Sequence, residues 1–76
     1  MIPPNLNDLS QIELAQILRP LTKFNQRVIK LRFGLGGVKP HTLQETADIL
    51  GTTREVIRKT EIQAMRQLGW IQLLPN

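Results

Sequence analysis

Between Leu43 and Leu68 the apolar positions fall at three- and four-residue steps, with polar residues filling the intervals. Leu43, Ala47 and Leu50 share one helical stripe, and Ile57, Ala64 and Leu68 share a second. Gly51-Thr52 interrupts the run, so the pattern predicts two amphipathic helices, from Thr42 to Leu50 and from Thr53 to about Leu68. Their relative spacing is specific. Ala47 is followed four residues on by Gly51 and six further on by Ile57. A small residue suits a slot where two helices cross closely. Glycine suits a turn that needs left-handed backbone, and an apolar residue suits the slot that points back into the core. This is the pattern of a helix-turn-helix. Thr42 with Glu45 three residues later forms a capping box for the first of these helices, and Thr53 caps the second.

The preceding half predicts two more helices. Asp8 or Ser10 caps the first, with Leu9, Ile12, Ile17 and Leu18 on one face, and Pro20 ends it because a residue before proline resists helical backbone. Thr22 caps the second, which runs to about Phe33 with Phe24, Val28, Ile29 or Leu31, and Phe33 inward. Asn25 stands where a longer Glu would complete a capping box, so that cap is weakened. Gly34 stops the helix, and the run from Gly34 to Pro40 is a structural turn. The expected architecture is an all-α, four-helix domain ending in a helix-turn-helix, with no β-wing. It divides into an extended arm (1–7), a first helix pair with its Gly-rich loop (8–41), the helix-turn-helix (42–68) and an apolar tail (69–76). Trp70, Ile71, Leu73 and Leu74 in that tail either fold back on the core or offer a sticky surface.

Charge changes the picture. The chain of 76 residues carries a formal net charge of +4 and has a pI of about 10.4, which fits a polyanion partner. Basicity begins at Arg19. One group is Lys23, Arg27, Lys30 and Arg32 on the second helix; another is Arg54, Arg58, Lys59 and Arg66 on the fourth. The outward side of the fourth helix thus brings Arg54, Glu55, Arg58 and Lys59 together. Arginine and lysine suit guanine or phosphate, and glutamate can accept from a cytosine amino group. Three aromatic residues, Phe24, Phe33 and Trp70, are too few to support stacking on single-stranded bases.

Other chemistries find little material. With no Cys there is no disulfide and no thiolate metal site. His41 is the only histidine and reads as a solvated loop residue or a phosphate neighbour. Glu45, Asp48, Glu55 and Glu61 lie at helical steps and read as caps and intrahelical pairs. No catalytic, metal-binding or cofactor-binding group is expected, and no apolar stretch approaches a membrane span. The lack of Cys and of a cationic, apolar leader fits a cytoplasmic protein.

Three motifs carry a family resemblance. Leu31-Arg32-Phe33-Gly34-Leu35, then Thr42-Leu43-x-Glu45, then Thr53-Arg54-Glu55-x-x-Arg58 followed by Glu61, Ala64 and Leu68, occur in this order. Together they resemble region 4 of bacterial RNA polymerase sigma factors of the sigma-70 type, over roughly Leu21 to Leu68. The resemblance implies a promoter-reading domain active in transcription initiation. Double-stranded promoter DNA would meet Thr42, Thr53, Arg54, Glu55, Arg58 and Lys59. The surface around the first two helices would dock on the flap of the RNA polymerase β subunit. The chain departs from the family at several places. Val56 stands where an Arg is usual, Lys59 where Gln is common, and Ile62 where Ala is frequent. Thr60 replaces an apolar residue, Ala47 replaces Gly, and the tail is apolar where the family's is short and basic. Losing the Arg at Val56 removes a phosphate contact and flattens the salt dependence of binding. These departures define an alternative: a stand-alone protein-interaction module that binds polymerase or a sigma factor without specific promoter reading, through Phe24, Val56, Ile62, Trp70 and Leu73. A third reading is self-association through the tail. A chain of this length is either a small protein in its own right or the isolated end of a larger sigma factor. Alone it lacks the promoter-melting regions of such a factor.

Overall fold

The computed structural model describes residues 9–70. Four helices follow one another: α1 (Gln11–Leu18), α2 (Lys23–Phe33), α3 (Leu43–Leu50) and α4 (Arg54–Gln67). No strand occurs among the described residues, and none of their helices is long and apolar enough to cross a membrane.

Each helix begins on a side-chain cap. The hydroxyls of Ser10, Thr22, Thr42 and Thr53 accept from the backbone N–H three residues on. Such a bond satisfies one of the amides that the first turn leaves without a partner. At Ser10 and Thr42 the box is reciprocal, because Glu13 and Glu45 accept from the N–H of the capping residue at 3.0 and 2.8 Å. Thr22 has no such return bond, as expected with Asn25 in that place.

The helix ends are equally specific. Gly34 closes α2 and Gly51 closes α3, both left-handed, at φ 66° and 68°. In each case the following amide reaches back five residues: Leu35 N–H to the Lys30 carbonyl and Thr52 N–H to the Ala47 carbonyl, both at 2.9 Å. α4 ends the same way at Gly69, with Trp70 N–H donating to the Met65 carbonyl at 2.8 Å and Gly69 N–H to Arg66 at 3.0 Å. This is a Schellman turn, which reverses the chain and throws the next side chain back onto the helix it has left. α1 ends differently. Arg19 keeps helical backbone (φ −52°, ψ −37°) although it precedes proline. Pro20 therefore stops the helix because it has no N–H to continue the ladder, and not by forcing Arg19 out of the helical region.

The core has two lobes. Leu14 and Leu18 of α1, Leu21, Ile29 of α2, Leu35, Ala64 of α4 and Trp70 form one. Val28, Ala47 and Ile57 form the other, flanked by Leu43 and Leu50. α4 packs on both α2 and α3, so it stands on the two lobes at once. The three spaced positions Ala47, Gly51 and Ile57 do what their pattern requires: Ala47 and Ile57 are fully buried and Gly51 turns the chain between them. Thr46 is buried beside them, its hydroxyl donating to the Thr42 carbonyl at 2.8 Å.

Three expectations are corrected here. Phe24, expected inward on α2, is exposed, and Val28 and Ile29 supply the buried positions of that helix. Ile12 points outward, at 72 % exposure, and Leu14 takes the inward place instead. With Leu18 it sets the buried stripe of α1 at a four-residue step. Trp70 is not an exposed contact for a partner. It is 4 % exposed, because the Gly69 turn folds it against Phe33, ring centroids 5.9 Å apart and edge to face. Leu73 and the rest of the tail, the arm 1–7 and Asp8 lie outside the described residues.

Candidate nucleic-acid interface

The buried side of α4 is set by Ile57 and Ala64, with Leu68 half-buried just beyond its end. At a hundred degrees per residue, this leaves Glu55, Lys59 and Arg66 facing directly away from the core. Arg54 and Arg58 stand on one shoulder of that outward face and Val56 on the other. All six are exposed. Of the four charged residues expected to act together, Glu55, Arg58 and Lys59 are therefore gathered on one exposed stripe over the first two turns of α4, and Arg54, also exposed, stands at its edge nearer the core.

They are not equivalent. Glu55 grips Arg58 with both carboxylate oxygens, accepting from Nε at 2.9 Å and from Nη2 at 2.6 Å. Lys59 Nζ lies 3.9 Å from the same carboxylate. The bonds from Arg58 hold the Glu55 carboxyl below its ordinary range and raise the Arg58 guanidinium. Arg54 stands apart, where it lines an open cleft of about 370 Å³ with Arg32, Thr42, Leu43 and Gln44. Thr42 and Arg54, assigned to the same partner in the sequence, thus share one depression at the start of α3. The hydroxyls of Thr42 and Thr53 accept from Glu45 and Val56 amides. Each keeps its O–H to donate outward and one lone pair to accept.

Arg32 has a different task from the one its charge suggests. Its Nε donates to Glu61 at 2.9 Å and its Nη1 to the His41 carbonyl at 2.6 Å. Side-chain exposures of 25 % and 14 % make this a half-buried ion pair joining α2 to α4. Glu61 is accordingly no intrahelical partner; it reaches a residue 29 positions away. His41 is fastened rather than solvated, with its N–H donating to the Leu31 carbonyl at 2.8 Å and its Nδ1 3.2 Å from that oxygen. The helical spacing of Glu61 carries no sign of this long-range bond.

On another side, Gln11 of α1 together with α2, α3 and the Gly-rich loop lines an open groove of about 230 Å³. Leu31, Leu35, Val38 and Ile49 give it an apolar lining, and Arg27 and Lys30 stand among them. Val38 and Ile49 are exposed apolar residues that helical periodicity leaves without a role. Phe24 and Val56 are also exposed, at 37 % and 42 %, while Ile62 is half-buried.

The model of the family described as Sigma-70, region 4, matches residues 17–68. The chain belongs to that family. It is 39 % identical over 61 residues to the RNA polymerase sigma factor SigA of Bacillus sp. The same identity and length hold for the RNA polymerase sigma factor SigA of Listeria monocytogenes serovar 1/2a. Each match takes in 80 % of this chain and 16 % of the relative, so the chain spans only a small part of either sigma factor's length. All four helices overlap the matched region, which begins at Ile17 near the end of α1. As a sigma region 4 domain, the chain keeps its helix-turn-helix with an Ala at the close crossing and a Val on the shoulder of the second helix.

Proposed function

We propose that this sigma region 4 domain reads upstream promoter DNA in transcription initiation, with α4 lying in the major groove and RNA polymerase as protein partner. The observation that carries the reading is the exposed stripe of Glu55, Arg58 and Lys59 opposite the buried Ile57 and Ala64, with Arg54 exposed at its edge. A helix with such a face fits the width of the major groove and can offer bidentate donors to base edges. Thr42 and Arg54 contribute phosphate contacts from the cleft beside α3, and Thr53 does so from the cap of α4. The action is binding, with no bond made or broken, in a cytoplasmic setting. Band-shift titration of the full chain with double-stranded promoter DNA tests it. The expected outcome is a sequence-specific complex, weakened about ten- to a hundredfold by Arg58→Ala. Equal affinity for promoter and scrambled duplexes would overturn it.

The polymerase contact is assigned to the apolar groove between α2, α3 and the loop. Leu31, Leu35, Val38 and Ile49 suit an apolar helix face, and Arg27 and Lys30 suit acidic flanks; the family resemblance names the flap of the polymerase β subunit as that partner. A second reading rests on Val56, an exposed apolar residue on the shoulder of the charged stripe. In it, the domain engages polymerase or a sigma factor without specific promoter reading. It predicts polymerase capture alongside only weak, salt-sensitive duplex binding.

A further inference from the structure

Glu55 stands within the proposed DNA-reading stripe, and on its own it would serve as an acceptor for a cytosine amino group. Its geometry is that of a residue already engaged. Both carboxylate oxygens are taken by Arg58, through Nε at 2.9 Å and Nη2 at 2.6 Å, with Lys59 3.9 Å away on the other side. These three residues are exposed, at 48 % for the Arg58 side chain, 57 % for Glu55 and 71 % for Lys59. No packing forces them together, so the pairing itself sets the direction of the guanidinium.

A guanidinium has five N–H donors arranged around a planar fork. Glu55 occupies the side edge made by Nε and one hydrogen of Nη2. The end edge, made by Nη1 and the other hydrogen of Nη2, is left pointing away from the carboxylate. That edge is the one that can donate two parallel bonds to guanine O6 and N7. A free arginine on an exposed helix samples many rotamers and takes any phosphate it meets. One gripped at its side edge has lost part of that freedom beforehand and presents a single fork. The carboxylate also cancels part of the charge of Arg58 and Lys59, which weakens their pull on the phosphate backbone.

We propose that Glu55 is a positioning residue: it acts through Arg58, aiming the end edge of the guanidinium at a guanine and suppressing sequence-independent binding to phosphate. The inference rests on the DNA-reading function proposed above. It assigns discrimination to a residue pair, with Arg58 touching the base and Glu55 setting how it does so.

The test uses the full chain and Glu55→Gln, Arg58→Ala and the double variant, with circular dichroism to establish that each is folded. Each is used to select from a randomised duplex library. Each is also titrated with one mixed-sequence duplex across a salt series. Glu55→Gln is expected to bind the mixed-sequence duplex about three- to tenfold more tightly at low salt. Its log–log salt slope steepens by about 0.9, one further phosphate contact. Its selected sequences lose preference for guanine at one base pair. Arg58→Ala loses the same preference, and the double variant loses no more than Arg58→Ala does. The proposal is overturned if Glu55→Gln keeps the guanine and loses a neighbouring cytosine with unchanged mixed-sequence affinity, since Glu55 would then read a base itself. Additive losses in the double variant overturn it as well, leaving the DNA-reading function standing. A wild-type chain that selects no sequence at all overturns both together.

Discussion

Three carboxylates define the behaviour of single residues here. Glu13 and Glu45 accept from the N–H of their capping residues, Ser10 and Thr42, and Glu55 accepts from Arg58. Each bond favours the ionised form, and all three carboxyls titrate below their ordinary value of 4.5. A carboxyl depressed in the folded state contributes stability above its unfolded pKa and loses it as pH falls through the folded one. Thermal unfolding followed by circular dichroism is therefore expected to hold steady from neutral pH to about pH 5 and to fall in midpoint below that. Glu45→Gln is expected to flatten part of the acid limb. Two glycines make a sharper comparison. At Gly51 a Cβ would meet open space, so Gly51→Ala suffers only from left-handed backbone, roughly 1 kcal/mol. At Gly34 the same Cβ would sit 2.6 Å from Pro40 Cδ and from Pro40 N. Gly34→Ala adds a steric clash to the same strain and is expected to cost about 2–4 kcal/mol. Urea unfolding of the two variants checks the order.

Among the described residues, helices meet through a polar joint as well as through the core. Arg32 ties α2 to Glu61 of α4 and to the His41 carbonyl just ahead of α3. Removing Arg32 strands a mostly buried carboxylate and a carbonyl, so Arg32→Ala is expected to destabilise by about 2–3 kcal/mol in urea. Replacing both partners with apolar residues of like size should cost less, and a double-mutant cycle measures the difference. Much at this scale was legible in the chain. Thr22, Thr42 and Thr53 announce their helices through local hydrogen bonds, and Gly34 and Gly51 announce where helices end, because these effects span only a few residues. The Ala47, Gly51 and Ile57 spacing located the crossing of α3 and α4. Less legible were features that depend on distant partners. Periodicity alone placed Ile12 inward, because an eight-residue helix with several apolar residues has two plausible stripes. The Arg32–Glu61 bond joins positions too far apart in sequence for spacing to register. The stripe of Glu55, Arg58 and Lys59, with Arg54 at its edge, was readable from step and charge, but the grip of Glu55 on Arg58 depends on rotamers.

At the scale of the whole molecule, the charged stripe of α4 and the apolar groove lined by Leu31, Leu35, Val38 and Ile49 are built from different residues. The proposed DNA and polymerase contacts can therefore be broken one at a time. Ile49 is half exposed, so Ile49→Glu leaves the core intact while placing a negative charge in the groove. Polymerase capture in a pull-down is expected to drop at least tenfold, with duplex affinity changed less than twofold; loss of both would merge the two surfaces into one.

Trp70 is the sole tryptophan of the chain, and it rests against Phe33 in the lobe built from α1, α2 and α4. The protein thus carries an internal fluorophore whose emission follows the closing of that lobe. None of the charged stripe on α4 belongs to its surroundings, so spectral changes during denaturation can be read as core opening.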